Sequence, residues 1–502
     1  MTTVSRSQHV RRNAIIGFVN QFLVLLAMFV GRTIFIKTLG AEYLGINGLY
    51  VNILTILSLA ELGVGNVMIY SLYKPLNEND EQSIIGLLRY YKKIYRNIAL
   101  SILGLGLLVL PFIQYFVDVD VPIHYLLIYF AIYLINSAAS YLFIYKSVLI
   151  NASQKVSLVN SIQSAFILLR ESLQSVALIF TQSYTLYLLI LLTSTILSNL
   201  VISSKANQLF PYLSDPSTKQ IDSKAILEKI KSALIYKIGV VIMNNTDNIL
   251  ISVLIGTIYV GYYTNYMLII SVATTLSGIV IQSMFPSVGN LNSNHDSEKS
   301  YQFFRVILLF FHWMSALFGV GFVIAFSDVI KIWIGEEYIL EQYVVLAISI
   351  NFYLQNIINP VWIYRETMGL FNNVKYLMMI AAIINILLSC VFGLYFGLFG
   401  IIISTAIARL CTTVWYEPKL IFESKFNKPV FLYWKQQVKY FIISLISLGI
   451  LWYLTSTMPG SFLYIVLKVL LCVIVVSVLF LLGSVKSDEF KSLMGYLKLS
   501  KS

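Results

Sequence analysis

Charge is what this chain has least of. Only 12% of its 502 residues are Asp, Glu, Lys or Arg, while 58% are hydrophobic. Soluble domains run about 25% charged and about 45–50% apolar. Mean hydropathy is +0.80. Such scarcity of charge excludes a disordered chain and is incompatible with a single soluble globule. Cysteine is also sparse. Cys390, Cys411 and Cys472 all lie in apolar stretches, so they offer no disulfide framework and no metal-ligand spacing. They read as small buried hydrophobes. The four histidines form no metal-ligand pair, and His312 reads as a packed or hydrogen-bonded side chain. There is no Gly-x4-Gly-Lys-Ser/Thr loop and no Gly-x-Ser-x-Gly elbow, so neither ATP hydrolysis by this chain nor serine-hydrolase chemistry is expected. The reading is of a protein that is not an enzyme and carries no cofactor.

What the chain has instead is apolar length. A spanning helix needs roughly 20 apolar residues. Windows of that kind fall at 13–36, 44–72, 94–117, 122–147, 156–181, 184–204, 233–255, 259–287, 303–327, 340–364, 374–396, 398–416, 436–456 and 461–484. The first is too long for a signal-peptide core and has no small-residue cleavage site, so it reads as a retained span. The fold expected is an all-α polytopic membrane protein of about 14 transmembrane helices.

Basic residues test that count. With the N-terminus in the cytoplasm and spans alternating, 28 of the 35 Lys and Arg fall at cytoplasmic ends and loops. The outer side receives Lys37 and Lys331, beside the acids Asp118, Asp120, Glu336 and Glu337. One span too many or too few would invert every later loop and destroy this bias. Both termini are therefore expected in the cytoplasm. The net charge of +12 reads as an orientation signal at an anionic leaflet, with no nucleic-acid partner.

The chain also repeats itself. Gly40-Ala-Glu-Tyr43-Leu-Gly45, followed by Tyr50, matches Gly256-Thr-Ile-Tyr259-Val-Gly261, followed by Tyr266, at an offset of 216. Ile144-Tyr145-Lys146 matches Ile363-Tyr364-Arg365 at an offset of 219. Two regions sharing nearly one offset imply duplication of a six-helix half. An even number of spans per half gives a parallel pseudo-two-fold repeat. The expected organisation is an N-terminal lobe at 1–205, an amphipathic cytoplasmic linker at 206–232 and a C-terminal lobe at 233–420. A basic linker, two C-terminal spans and a tail follow at 421–502. The glycines themselves read as tight turns and close helix approach.

Ionisable groups inside spans cost at least about 2.5–3.5 kcal/mol each and usually face a bundle interior or wet cavity. They are Arg32, Glu61, Arg170, Glu171, Lys237, Asp247 and Arg409, with Lys468 in the last span. Asp247 lies in a polar run, Asn244-Asn245-Thr246-Asp247-Asn248, which either lines a cavity or makes a helix–helix contact. Arg170 and Glu171 are neighbours, about 100° apart around a helix. They are expected not to pair and to need other partners. Lys237 and Lys468 read as snorkelling side chains near helix ends. Pro286 and Pro360 are candidate bends. Two lobes around arginines would form a basic cavity that attracts phosphate or pyrophosphate, because guanidinium suits bidentate contact. Carboxylates there would hold the arginines or carry a coupling H+ or Na+.

Arg12-Asn13, the Leu39-Gly40-x2-Tyr43-Leu44-Gly45 turn, Glu61-Leu62-Gly63-Val64-Gly65, Ile144-Tyr145-Lys146 and Lys155 resemble the polysaccharide flippases. These belong to the multidrug/oligosaccharidyl-lipid/polysaccharide exporter superfamily. The resemblance implies a multi-pass protein of the bacterial cytoplasmic membrane. It would move undecaprenyl-pyrophosphate-linked oligosaccharide to the outer leaflet by alternating access, for capsule, O-antigen or a related glycan. Its implied partners are that lipid-linked glycan, the bilayer and glycan polymerase machinery. Arg32, Arg170 and Arg409 match the family's cavity cations by span and character, with Glu61, Glu171 and Asp247 as coupling or arginine-supporting carboxylates. The alternatives are a multidrug-type cation antiporter and a flippase for a peptidoglycan lipid precursor.

Overall fold

The apolar runs become helices almost without exception. The computed structural model describes residues 6–58, 64–142, 144–153, 155–214, 223–293 and 297–492. In chain order the helices are α1 (Arg6–Leu57), α2 (Val64–Asn77), α3 (Glu81–Val109), α4 (Ile123–Leu142), α5 (Tyr145–Ala152), α6 (Val156–Thr181), α7 (Tyr184–Leu209), α8 (Ser223–Leu254) and α9 (Thr257–Ser293). They continue as α10 (Ser297–Trp333), α11 (Gln342–Ile357), α12 (Asn359–Thr367), α13 (Phe371–Val374), α14 (Leu377–Cys411), α15 (Thr413–Ile421), α16 (Phe431–Thr455) and α17 (Phe462–Ser484). The chain divides into two compact units, Met1–Gly261 and Tyr262–Ser502.

Among the described residues, eleven helical stretches are long and apolar enough to cross a membrane. Two of these are each a pair of spans joined at a glycine. In α14, Gly397 has φ 57°. Across it, Asn385 donates to Thr405 at 2.9 Å and Ser389 donates to the Ile401 carbonyl at 3.4 Å. Residues 20 positions apart on a straight helix would be about 30 Å apart, so α14 folds back into an antiparallel hairpin. In α1, Gly40 has φ 82°. Asn47 accepts a hydrogen bond from Tyr133 at 2.8 Å, and Arg32, on the other side of Gly40, lies within electrostatic reach of the same ring. With α8, which also has the length to cross, the expectation of about fourteen spans is met.

The helices begin and end where local chemistry dictates. Asp80 caps α3, accepting from the Ser83 backbone at 3.1 Å, and Ser183 caps α7 by accepting from the Leu186 backbone at 3.3 Å. Both satisfy amides that a helix N-terminus leaves unpaired. Span ten breaks at the proline. α11 ends at Ile357, and α12 restarts with Pro360 in its first turn, where a missing N–H costs nothing. α9 runs on through Pro286 as one helix.

The outer surface differs from that of a soluble protein, since aliphatic groups face outward while polar groups join the interior. α17 buries Lys468, Cys472, Val476, Phe480 and Ser484, a stripe at every fourth residue. Its remaining surface exposes Leu467, Leu470, Val473, Ile474 and Leu482. α16 likewise buries Gln437, Tyr440, Ser444 and Ser447 and exposes Phe441, Leu445 and Ile446. Polar groups inward and aliphatic groups outward is the arrangement a hydrocarbon solvent selects.

The repeat reappears as contacts. Within the first unit, a Cβ placed on Gly45 would run into the Thr257 carbonyl, and one on Gly261 into the Ala41 carbonyl. The offset of 216 converts each contact into the other. The equivalent tyrosines also do equivalent work. Buried Tyr50 donates to the Leu126 carbonyl at 3.1 Å, at the start of α4. Buried Tyr266 accepts from the Leu340 amide at 2.9 Å, just before α11.

Candidate functional site

In the first unit α1 packs along α6, and α6 packs along α7. This brings three of the predicted charges together. Arg170 and Glu171 pair at 2.8 Å, with side chains 23% and 13% exposed. The expectation that they would not pair is therefore wrong. Two long side chains 100° apart can both bend toward the intervening face of the helix, and pairing there leaves neither charge uncompensated in an apolar setting. The Glu171 carboxylate also presses against α1. A Cβ on Gly31 would sit 2.5 Å from Glu171 Oε2, so glycine is what lets the carboxylate approach the backbone beside Arg32. Arg32 lies in electrostatic reach of Glu171, Tyr187 and Tyr133.

Among the described residues the cluster thus sets two guanidiniums against one carboxylate, an excess of positive charge. Arg170 Nε is buried and has no hydrogen-bond partner among the described residues. Arg170 also borders an apolar groove of about 220 Å³ between α6 and α7, walled by Leu169, Leu173 and Leu189. Tyrosines pack the cluster in place. Tyr184 meets Phe35 at 5.8 Å and Tyr43 at 5.1 Å, and Gln174 donates to the Tyr187 carbonyl at 2.9 Å.

The other predicted residues lie elsewhere. Arg409 belongs to the second unit. Its Nη1 donates to the Asn351 carbonyl at 3.2 Å and to Gln355 at 3.4 Å, holding α14 to α11. Asp247 is 9% exposed on α8. In the same run, Asn245 and Thr246 donate back to the carbonyls of Val241 and Ile242. Glu61 lies outside the described residues.

Several charges behave unlike their sequence reading. Lys468 does not snorkel. It is 8% exposed and pairs with Asp328 at 2.6 Å, joining α17 to α10. Asp328 lies one residue past the window that defined its span, so it was passed over. Arg365, counted among the cytoplasmic-end basics, is 1% exposed. It donates to Glu417 at 2.7 Å and to Glu366 at 2.6 Å. Glu417 sits one residue past its own apolar window. His312 is fully buried and hydrogen-bonded to Tyr353 at 3.2 Å, with the Tyr440 ring 5.0 Å away.

Outside the spans, Glu489 accepts from Arg305 at 2.5 and 2.9 Å and from Gln436 at 2.7 Å. Burial opposes its ionisation. Its backbone hydrogen bond and those from Arg305 outweigh that and hold the carboxyl below its ordinary value.

The architecture so assembled is an all-helical, multi-pass membrane fold with a half-buried cationic cluster in its first unit. The fold is shared by solved transporters. The lipid II flippase MurJ in an inward closed conformation superposes with a TM-score of 0.69 at 16% identity, covering 93% of this chain and 98% of that one. An inward-facing multidrug resistance MATE family transporter of the MOP superfamily gives 0.63 at 14% identity, covering 79% and 95%. The Vibrio cholerae MATE transporter VcmN in its bent form gives 0.54 at 12%, covering 83% and 98%. No family model matches the sequence, and no curated protein matches it. At such identities the likeness establishes the fold.

Proposed function

We propose that this protein is a flippase of the bacterial cytoplasmic membrane. It carries undecaprenyl-pyrophosphate-linked oligosaccharide repeat units from the inner to the outer leaflet for surface-polysaccharide synthesis, by alternating access. The observation that carries this reading is the pair Arg32 and Arg170 at the carboxylate of Glu171, with Arg170 Nε buried and unmet among the described residues. A surplus guanidinium beside an apolar groove suits an anion attached to a hydrocarbon chain. Glu171 keeps the empty cluster from carrying two uncompensated charges, and an arriving pyrophosphate would compete for those guanidiniums. Arg409, in the second unit, is a further candidate cation, and Glu61 and Asp247 are the remaining candidates for coupling to H+ or Na+.

A second reading, a flippase for a peptidoglycan lipid precursor, is favoured by the full-length likeness to MurJ. A multidrug-type cation antiporter is favoured by the MATE likeness but not by the cationic cluster. The test is leaflet exposure of lipid-linked glycan in cells with and without the protein, alongside export of a cationic dye. Glycan trapped on the cytoplasmic side with dye export unchanged supports the proposal. Normal exposure of every lipid-linked precursor with lost dye export overturns it. Arg32→Gln and Arg170→Gln should each trap glycan at normal protein level, and full surface glycan in both would remove the cluster from the mechanism.

A further inference from the structure

A second cavity lies in the first unit, about 370 Å³ in volume, between the α1 segment after Gly40 and the α4 helix. That is within the lower range of small-ligand sites. It contrasts with the arginine cluster in kind, because among the described residues no charged side chain lines it. Its walls carry hydroxyls and an amide: Thr55, Ser58, Tyr133, Asn136 and Ser140 among them.

The hydrogen bonds of these groups favour acceptance over donation. Thr55 donates its hydroxyl proton to the Val51 carbonyl at 2.7 Å. Ser58 donates to the Leu54 carbonyl at 2.7 Å, and Ser140 to the Ser137 carbonyl at 2.7 Å. Tyr133 donates to Asn47 at 2.8 Å. Four hydroxyl protons are thus spent on the protein itself, which leaves their oxygens as acceptors. Asn136 Oδ1 is buried and has no partner among the described residues. A buried unmet acceptor costs about as much as a lost hydrogen bond. Among the described residues the cavity therefore presents mainly oxygens that can accept, with the Asn136 amide as a donor beside them, and no cation to hold an anion.

Tyr133 joins this cavity to the charged cluster. Its ring is in electrostatic reach of both Arg32 and Arg170, while Asn136 lies one turn further along α4. A ligand with an anionic group at the arginines and a neutral, hydroxyl-bearing group attached to it would meet both environments in sequence.

We infer that this cavity is a subsite for a sugar ring of the substrate, recognised through its hydroxyl donors and separate from the anion site at Arg32 and Arg170. The inference rests on the lipid-linked glycan reading given above. It makes the first unit bipartite, with the pyrophosphate held by charge and the adjoining sugar by acceptors. It also assigns sugar discrimination to Thr55, Asn136 and Ser140.

The test compares two probes on the purified full-length protein: undecaprenyl pyrophosphate, and undecaprenyl pyrophosphate bearing one N-acetylhexosamine. The readout is the ratio of their affinities on one preparation. The wild type should prefer the glycosylated probe. Asn136→Leu and Thr55→Val, each close in volume to the original, should each lower that ratio about fivefold, the value of one neutral hydrogen bond. The loss should fall on the glycosylated probe. Arg32→Gln should weaken both probes and leave the ratio in place. A wild-type preference that survives in Asn136→Leu and Thr55→Val overturns the subsite while leaving the lipid-linked glycan reading intact. Equal affinity of the wild type for both probes also overturns it. A wild type that binds neither lipid overturns the substrate reading, and the subsite with it.

Discussion

Replacing Gly45 or Gly261 by alanine sets two effects of opposite sign against each other. Neither glycine has a positive φ, so alanine fits the backbone. In a helix, Gly→Ala gains about 1 kcal/mol of propensity. Against this, the new methyl on Gly45 would meet the Thr257 carbonyl and lie 3.0 Å from Thr257 Cγ2. On Gly261 it would meet the Ala41 carbonyl and lie 3.2 Å from the Gly45 amide nitrogen. Backbone atoms of a packed helix cannot rotate aside as a side-chain tip can. Overpacking typically costs about 1–3 kcal/mol, and contact with backbone belongs at the upper end. The net expectation is a loss of about 1–2 kcal/mol for each variant. Gly104, Gly278 and Gly449 provide internal controls, since a Cβ on any of them meets nothing within 4 Å. Alanine at those positions should be neutral or stabilising by up to about 1 kcal/mol. Thermal unfolding in detergent, at matched protein concentration, measures the contrast. If Gly45→Ala and Gly261→Ala unfold at or above the temperature of the three controls, the two copies of the repeat do not touch as described.

Three further outcomes follow from the buried charges. Lys468→Met should cost about 3 kcal/mol, because it leaves Asp328 without its cation, and Lys468→Met with Asp328→Leu should recover most of that. A double variant no more stable than the single one would refute the pair as the cause. Arg365→Met should likewise destabilise by about 3 kcal/mol through Glu417, with Arg365→Met/Glu417→Met milder; the same unfolding assay decides. The Glu489 carboxyl is held below its ordinary value of 4.5, so its contribution is present above that pH and is lost as pH falls through the folded value. The stability gap between wild type and Glu489→Gln should be largest near neutrality and close below about pH 4.5; a gap that is flat or widens toward acid contradicts the assignment.

The membrane class, the span count and the repeat could all be read from the one-dimensional pattern. Each depends on composition summed over some twenty residues or on a periodicity, and hydrocarbon leaves helices few alternatives. Even the Gly40 and Gly256 turns carry their own signature, because positive φ is open chiefly to glycine. A packed or hydrogen-bonded His312 was likewise legible, since a lone histidine in an apolar helix has few other options.

Which charges meet was not legible. Arg170 and Glu171 looked incapable of pairing because spacing gives the direction of Cβ, whereas reach and rotamer decide where a guanidinium ends. Lys468 seemed free to snorkel because its partner, Asp328, lies 140 residues away on another helix, and Arg365 found Glu417 only when α12 packed on α15. The acceptor-lined cavity depends on which carbonyl each hydroxyl chooses, and that choice exists only once the helices are in place. Pattern along the chain determined that this protein is an all-helical, multi-pass membrane protein. Packing between distant helices alone decided which buried charges are compensated and which are left over, because an ion pair in hydrocarbon is fixed by side-chain geometry across a few ångströms and not by spacing in sequence.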